Sequence, residues 1–149
     1  NESAPELSGI LLAQIKDEKQ DGILYAGEIY NLRLNSEMVI LSACQTGLGR
    51  ITKGEGVIGL TRALLYAGTK SLTVSLWTVS DASTSQLMVD FYDNLLNEDE
   101  HTAHNHVHAN ALRKAKLKMI AEGGDFAAPY YWSPYVLVGN WRWPASTFK

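Results

Sequence analysis

In the stretch VILSACQTGLG, residues 39–49, an apolar run ends on Cys44, the only cysteine of the 149-residue chain. A turn of small and polar residues containing Gly47 and Gly49 follows. A lone cysteine is ordinarily a small buried hydrophobe. The position of Cys44 points elsewhere, because a thiol at a strand end before a glycine turn is partly exposed and the backbone there can come close to a substrate. A thiolate nucleophile needs that exposure and a base that takes or relays its proton. The four histidines, His101, His104, His106 and His108, all fall in one segment, HTAHNHVH. No spacing brings them to Cys44, so no base is assigned within the chain. His104 and His108 are four apart, as zinc ligands on a helix face can be. Without a further cysteine or carboxylate at a defined spacing, the segment reads as a solvated linker, and no metal or other cofactor is expected.

The elements that must position Cys44 follow from periodicity. LSGILLA, 7–13, reads as a short strand, KDEKQDG as a charged turn, and YAGEIYNL, 25–32, as a short helix. MVILSA, 38–43, is a continuous apolar run, as expected of a strand covered on both faces. From Gly56 onward, Val57, Leu60, Leu64 and Ala67 form one helical stripe, with Gly68 as a C-cap. SLTVSLW, 71–77, is the next strand. A helix follows with Ser80 and Asp81 as alternative N-caps and Leu87, Phe91 and Leu95 four apart. Residues 109–122 form a third long helix ended by Gly123 and Gly124, and YVLVG, 135–139, a last strand. This alternation predicts an α/β fold with a mostly parallel sheet, right-handed crossovers and helices on both faces. In such sheets sites lie beyond the carboxyl ends of the strands, where Cys44 and Trp77–Asp81 would both fall.

Composition narrows the function classes. Hydrophobic residues make up 46% and charged residues 19%, with a net charge of −3. That is a globular composition, and the acidic balance excludes nucleic acid as the main partner. Arg113, Lys114, Lys116 and Lys118 therefore read as a solvated helix face. The aromatics of PYYWSPYVLVGNWRW read as core and strand packing, with any exposed remainder available to dock a partner. One cysteine allows no internal disulfide, which fits a reducing, cytoplasmic setting. No apolar run is long enough to cross a membrane, so no membrane partner is expected. The chain begins without a methionine and close to its first strand, as a piece of a longer protein would.

LSACQTGLG, GEGVIGLTRALLYAG, SLTVSLWTVSD, ALRKAK and YYWSPYVLVGNW occur in order through nearly the whole chain, with PELSGILLA near its start. Together they resemble the CHAT domain, a caspase-like cysteine protease domain of bacteria and some eukaryotes, related to separase. The resemblance implies a caspase-like α/β fold over residues 1–149 as the carboxyl-terminal portion of one such domain. It also implies a histidine–cysteine dyad with Cys44 as nucleophile. The family's base lies in a His-Gly motif upstream of the PELSG segment, and no His-Gly pair occurs in this chain. The amino-terminal part of the domain is accordingly expected to supply the base and one oxyanion donor, so that this chain alone would be inactive.

The resemblance extends to substrate binding. In caspase-like enzymes the strand after the cysteine helix lines the P1 pocket, and the substrate pairs with its continuation. By that match Ser75 and Trp77 flank the pocket and Thr78 offers backbone bonds, while Asp81 meets a basic P1 side chain as an acidic residue does in separase. Capping of the following helix is the ordinary alternative for Asp81. The partners implied are a protein substrate, the amino-terminal part of the domain and a helical-repeat regulatory region. A non-catalytic interaction module that keeps the fold is the competing function.

Overall fold

The computed structural model describes residues 8–13, 21–42, 55–97 and 107–140, with the side chains of 55–57 outside the description. By contact density the chain forms two units, residues 1–40 with 46–72, and 41–45 with 73–149.

In the first unit, β1 (Gly9–Leu11) pairs antiparallel with β2 (Ile23–Tyr25), with Gly9 opposite Tyr25. The expectation of a mostly parallel sheet therefore does not extend to these strands. The expected helix over 25–32 is shorter, α1 (Ala26–Ile29), and Tyr25 closes β2 before serving as its N-cap. Three apolar residues after a charged turn are too few to show a strand periodicity, so β2 reads from sequence as the approach to a helix. The Glu28 carboxylate accepts from the Tyr25 amide at 2.9 Å and fixes the start of α1.

β3 (Met38–Leu41) lies within the predicted strand. Helix α2 (Glu55–Tyr66) buries Ala63 and Leu64, and Ala67 is buried just beyond its end. Val57, the first residue of the expected stripe, has its side chain outside the described residues. The helix stops as its sequence requires. Gly68 adopts φ +106°, its amide donates to Leu65 O at 3.1 Å, and the Thr69 amide reaches back to Leu64 O at 3.0 Å. These are the paired bonds that close a helix on a left-handed residue. A side chain has no room there: a Cβ on Gly68 would stand 2.3 Å from the Leu34 carbonyl oxygen.

β4 (Ser71–Ser75) is buried at every position. It lies between β3 and β5 (Tyr135–Gly139) in a three-stranded sheet. A central strand with both faces covered must be an unbroken run of residues that pack, as SLTVS is.

In the second unit, α3 (Asp81–Leu96) and α4 (Val107–Glu122) pack together. Leu87, Phe91 and Leu95 are buried at the predicted four-residue spacing, and Ala111, Ala115 and Met119 are buried on α4. Burying each large side chain contributes about 1.5–3 kcal/mol. The Lys118 ammonium meets the buried Asp90 carboxylate at 2.5 Å. A 3-10 turn, Asp125–Ala127, and α5 (Pro129–Trp132) lead into β5.

Of the four histidines, His101, His104 and His106 lie outside the described residues. His108 belongs to the first turn of α4 and is 1% exposed. The solvated-linker reading fails for it, because α4 begins two residues earlier than its apolar pattern indicates and carries His108 onto the same buried face as Ala111 and Ala115.

Candidate active site

Cys44 itself lies outside the described residues, three positions beyond the end of β3. What the structure describes is the carboxyl end of β4 and the turn that follows, where Ser75, Trp77, Thr78 and Asp81 fall in succession.

Ser75 ends β4 and is 1% exposed. Its hydroxyl donates to the Trp77 carbonyl at 2.5 Å, closing a tight bend between the two residues. One residue on, the Leu76 amide donates to the Pro134 carbonyl at 3.1 Å, so the bend is also tied to the approach to β5. The chain then turns outward. Trp77 is 39% exposed, with its indole stacked against Tyr130 at a centroid distance of 6.3 Å and an interplanar angle of 30°. The indole N–H donates to the Tyr130 carbonyl at 3.1 Å. The Tyr130 phenol donates to the Thr78 carbonyl at 2.8 Å. Ser75, Trp77 and Thr78 are thus joined in one braced turn, with Tyr130 of α5 as its outer support.

Ser80 ends the turn in an extended conformation and caps α3. Its hydroxyl accepts from the Ser83 amide at 3.2 Å, and the Ser83 hydroxyl donates to the Ser80 carbonyl at 2.9 Å. Asp81 is therefore the first helical residue and not the cap. Its side chain is exposed, beside the amide-rich amino terminus that favours an anion.

The support behind the turn is buried. The Tyr135 hydroxyl shares a hydrogen bond with the Thr84 hydroxyl at 2.6 Å, joining β5 to the first turns of α3. The Tyr135 carbonyl accepts from the Lys116 ammonium at 2.6 Å. Burial holds the Lys116 ammonium below the ordinary lysine pKa. The neighbouring Lys118 moves the other way, because the hydrogen bond and charge of Asp90 favour its protonated form.

From sequence, Tyr130 and Tyr135 read as packing aromatics and Lys116 as part of a solvated face, and nothing singles out Pro134. The one local signal was Pro129 followed by aromatics, which marks a helix start at α5 and predicts no contact with a turn 52 residues earlier. Among the described residues no group of three or more His, Cys, Asp or Glu is arranged to hold a metal ion. Among them, too, no helix is long and apolar enough to cross a membrane.

The family model of the CHAT domain matches residues 1–140. The chain belongs to the CHAT domain family. Tetratricopeptide repeat protein 28 of Mus musculus is 32% identical over 118 residues, covering 79% of this chain and 4% of that protein. Its namesake in Homo sapiens is 31% identical over 121 residues, covering 81% of the chain and 4% of that protein. The chain thus spans only a small fraction of the length of these relatives. Both relatives are mammalian. Membership supports the caspase-like α/β fold.

Proposed function

We propose that this chain is the nucleophile-bearing portion of a CHAT cysteine endopeptidase domain. The Cys44 thiolate attacks the scissile carbonyl of a protein substrate, and the backbone N–H of Cys44 helps to hold the oxyanion, an interaction that contributes about 2.7–4 kcal/mol per donor in well-studied hydrolases. Collapse of the tetrahedral intermediate breaks the peptide C–N bond. The departing amine takes its proton from the conjugate acid of the base, and water then resolves the acyl-enzyme. The base and the second oxyanion donor come from the amino-terminal part of the domain. The substrate runs beside the turn after β4, where Trp77 flanks its P1 side chain and Thr78 pairs with its backbone, while Ser75, buried beneath them, locks the turn. Asp81 selects a basic P1 residue by a charge-assisted bond.

The observation that carries this reading is the SACQTG motif in the sequence of a chain that belongs to this family, and the braced turn at the end of β4 adds support. Capping by Ser80 adds support for Asp81, since its carboxylate is not needed to close the helix. The test is Cys44→Ala in the full-length protein. Cleavage of peptide and protein substrates is expected to vanish while the melting temperature stays within a few degrees. Retained cleavage would refute the nucleophile.

A second reading, an interaction module that keeps the fold, draws on the outer surface of α3. Val89, Tyr92 and Leu96 recur there on one exposed face, with Leu96 66% exposed. An apolar stripe of this kind suits a protein partner, and a helical-repeat region of the same parent is the candidate. An unchanged phenotype for Cys44→Ala, together with loss of function on Val89→Glu, would favour this reading.

A further inference from the structure

We propose that Tyr130 is a positioning residue for substrate: it holds Trp77 and Thr78 as a rigid wall against which an extended peptide aligns. The proposal rests on the peptidase reading and adds to it a residue distant in sequence from both the nucleophile and the turn. Tyr130 uses all three of its recognition groups on two consecutive residues. Its carbonyl accepts from the Trp77 indole, its ring stacks on that indole, and its phenol donates to the Thr78 carbonyl.

The environment of these contacts points to shape more than to stability. Tyr130 is 55% exposed, and Trp77 is also exposed. Hydrogen bonds open to water contribute little net stability, because water replaces either partner readily. What they supply is geometry. The phenol fixes the plane of the peptide unit after Thr78, and the ring prevents the indole from rotating away. The inner side of the same bend is already fixed by Ser75 and by the Leu76–Pro134 bond. Without Tyr130, the Trp77 indole would lose its stacking partner and its hydrogen bond, and the Thr78 carbonyl would lose the phenol. A peptide pairing there would then have to order the wall at the cost of its own binding energy. Tyr130 provides that order in advance.

The separate contacts give separable effects. Tyr130→Phe keeps the stack and loses the clamp on Thr78, so it loosens the alignment of the peptide backbone, which every substrate shares. Tyr130→Leu also loses the ring behind Trp77, so it alters the surface met by the substrate side chain.

The experiment uses the full-length protein and two fluorogenic peptides that differ only at P1, Arg in one and Leu in the other. Wild type and Cys44→Ala are compared first. Equal turnover by both would overturn the peptidase reading and this proposal with it, and that outcome is decided before any Tyr130 variant is measured. With Cys44-dependent turnover established, Tyr130→Phe is expected to raise KM for both peptides by about 2- to 10-fold, the range for one net hydrogen bond. Its kcat should change by less than twofold and its melting temperature should hold. Tyr130→Leu is expected to raise KM further and to change the ratio between the two peptides. An unchanged KM in Tyr130→Phe overturns the proposal. So does a fall in kcat and melting temperature with KM unaffected, which would make Tyr130 a residue of the fold alone.

Discussion

Ser75→Ala separates two roles for one hydroxyl. Family resemblance places Ser75 beside the P1 side chain, whereas the structure buries it and directs its hydroxyl to the Trp77 carbonyl at 2.5 Å. Removing the hydroxyl deletes that hydrogen bond, a net loss of about 0.5–1.5 kcal/mol. The acceptor belongs to Trp77, which is 39% exposed, so the loss is that of one net hydrogen bond. The lost volume is that of one oxygen atom. The expected destabilisation is therefore near the middle of the range, about 1 kcal/mol, or roughly 2–4 °C in a domain of this size. Urea denaturation followed by tryptophan fluorescence measures the stability, and steady-state cleavage by the full-length protein measures the function. The expected result is a lower urea midpoint with an unchanged slope, a raised KM from the loosened Trp77, and a preserved kcat. Unchanged stability with abolished cleavage would refute the turn-lock role and return the hydroxyl to direct substrate contact.

Ser80→Ala should cost about 1 kcal/mol as loss of a helix cap, whereas Asp81→Asn should cost no more than the 0.3–1 kcal/mol of a carboxylate near a helix amino terminus; equal urea midpoints would show a shared cap. In cleavage assays Asp81→Asn should impair a P1-Arg peptide and spare a P1-Leu one, and equal loss of both would place P1 selection elsewhere. Gly68→Ala should destabilise by at least the roughly 1–2 kcal/mol of a left-handed non-glycine residue, since its Cβ also meets the Leu34 carbonyl at 2.3 Å; a neutral urea midpoint would contradict the observed helix stop. Lys116 and Lys118 should have opposite alkaline signatures. The lowered Lys116 pKa means that the unfolded chain binds more protons between that value and 10.5, so its contribution to stability rises with pH through the window. The raised Lys118 pKa gives a contribution present below 10.5 and lost as pH climbs through the folded value. Lys116→Met should remove the rise and Lys118→Met the fall in urea midpoints followed through that range; identical profiles would refute the assignment.

The legible parts of the fold were those in which a single element carries its own signal. Leu87, Phe91 and Leu95 repeat every four residues, and one buried face of α3 follows directly. Gly68 stands where a stripe ends, and its positive φ is what a glycine there is for. YVLVG is β5 to the residue. The illegible parts were those decided by a neighbour. Ile23–Tyr25 is a strand because Gly9–Leu11 lies alongside it, and nothing within three residues announces that. Ser80 and Asp81 are both good caps, and only the geometry of the turn chooses Ser80. The substrate-side residues read from family resemblance fall on one turn, yet the Ser75 hydroxyl faces inward to its own backbone. The contacts of Tyr130 with Trp77 and Thr78 are unreadable from sequence because the partners lie more than fifty residues away.

The start of β5 determines how that turn is held. Pro134 receives the Leu76 amide, and Tyr135 is bound at both ends, its hydroxyl to Thr84 and its carbonyl to the Lys116 ammonium. Tyr135 has no exposed surface, so these bonds exchange little with water. Tyr130 sits five residues earlier, on α5, and shares this anchorage through the short connection. The turn after β4 is thus fixed from behind by buried contacts and from in front by exposed ones. A residue meant to stay rigid needs the first kind, and a surface meant to meet a peptide needs the second. On the proposed reading, loss of the buried contacts costs stability and binding together and loss of the exposed ones costs binding alone, so variants of Tyr135 and of Tyr130 are expected to separate the two effects.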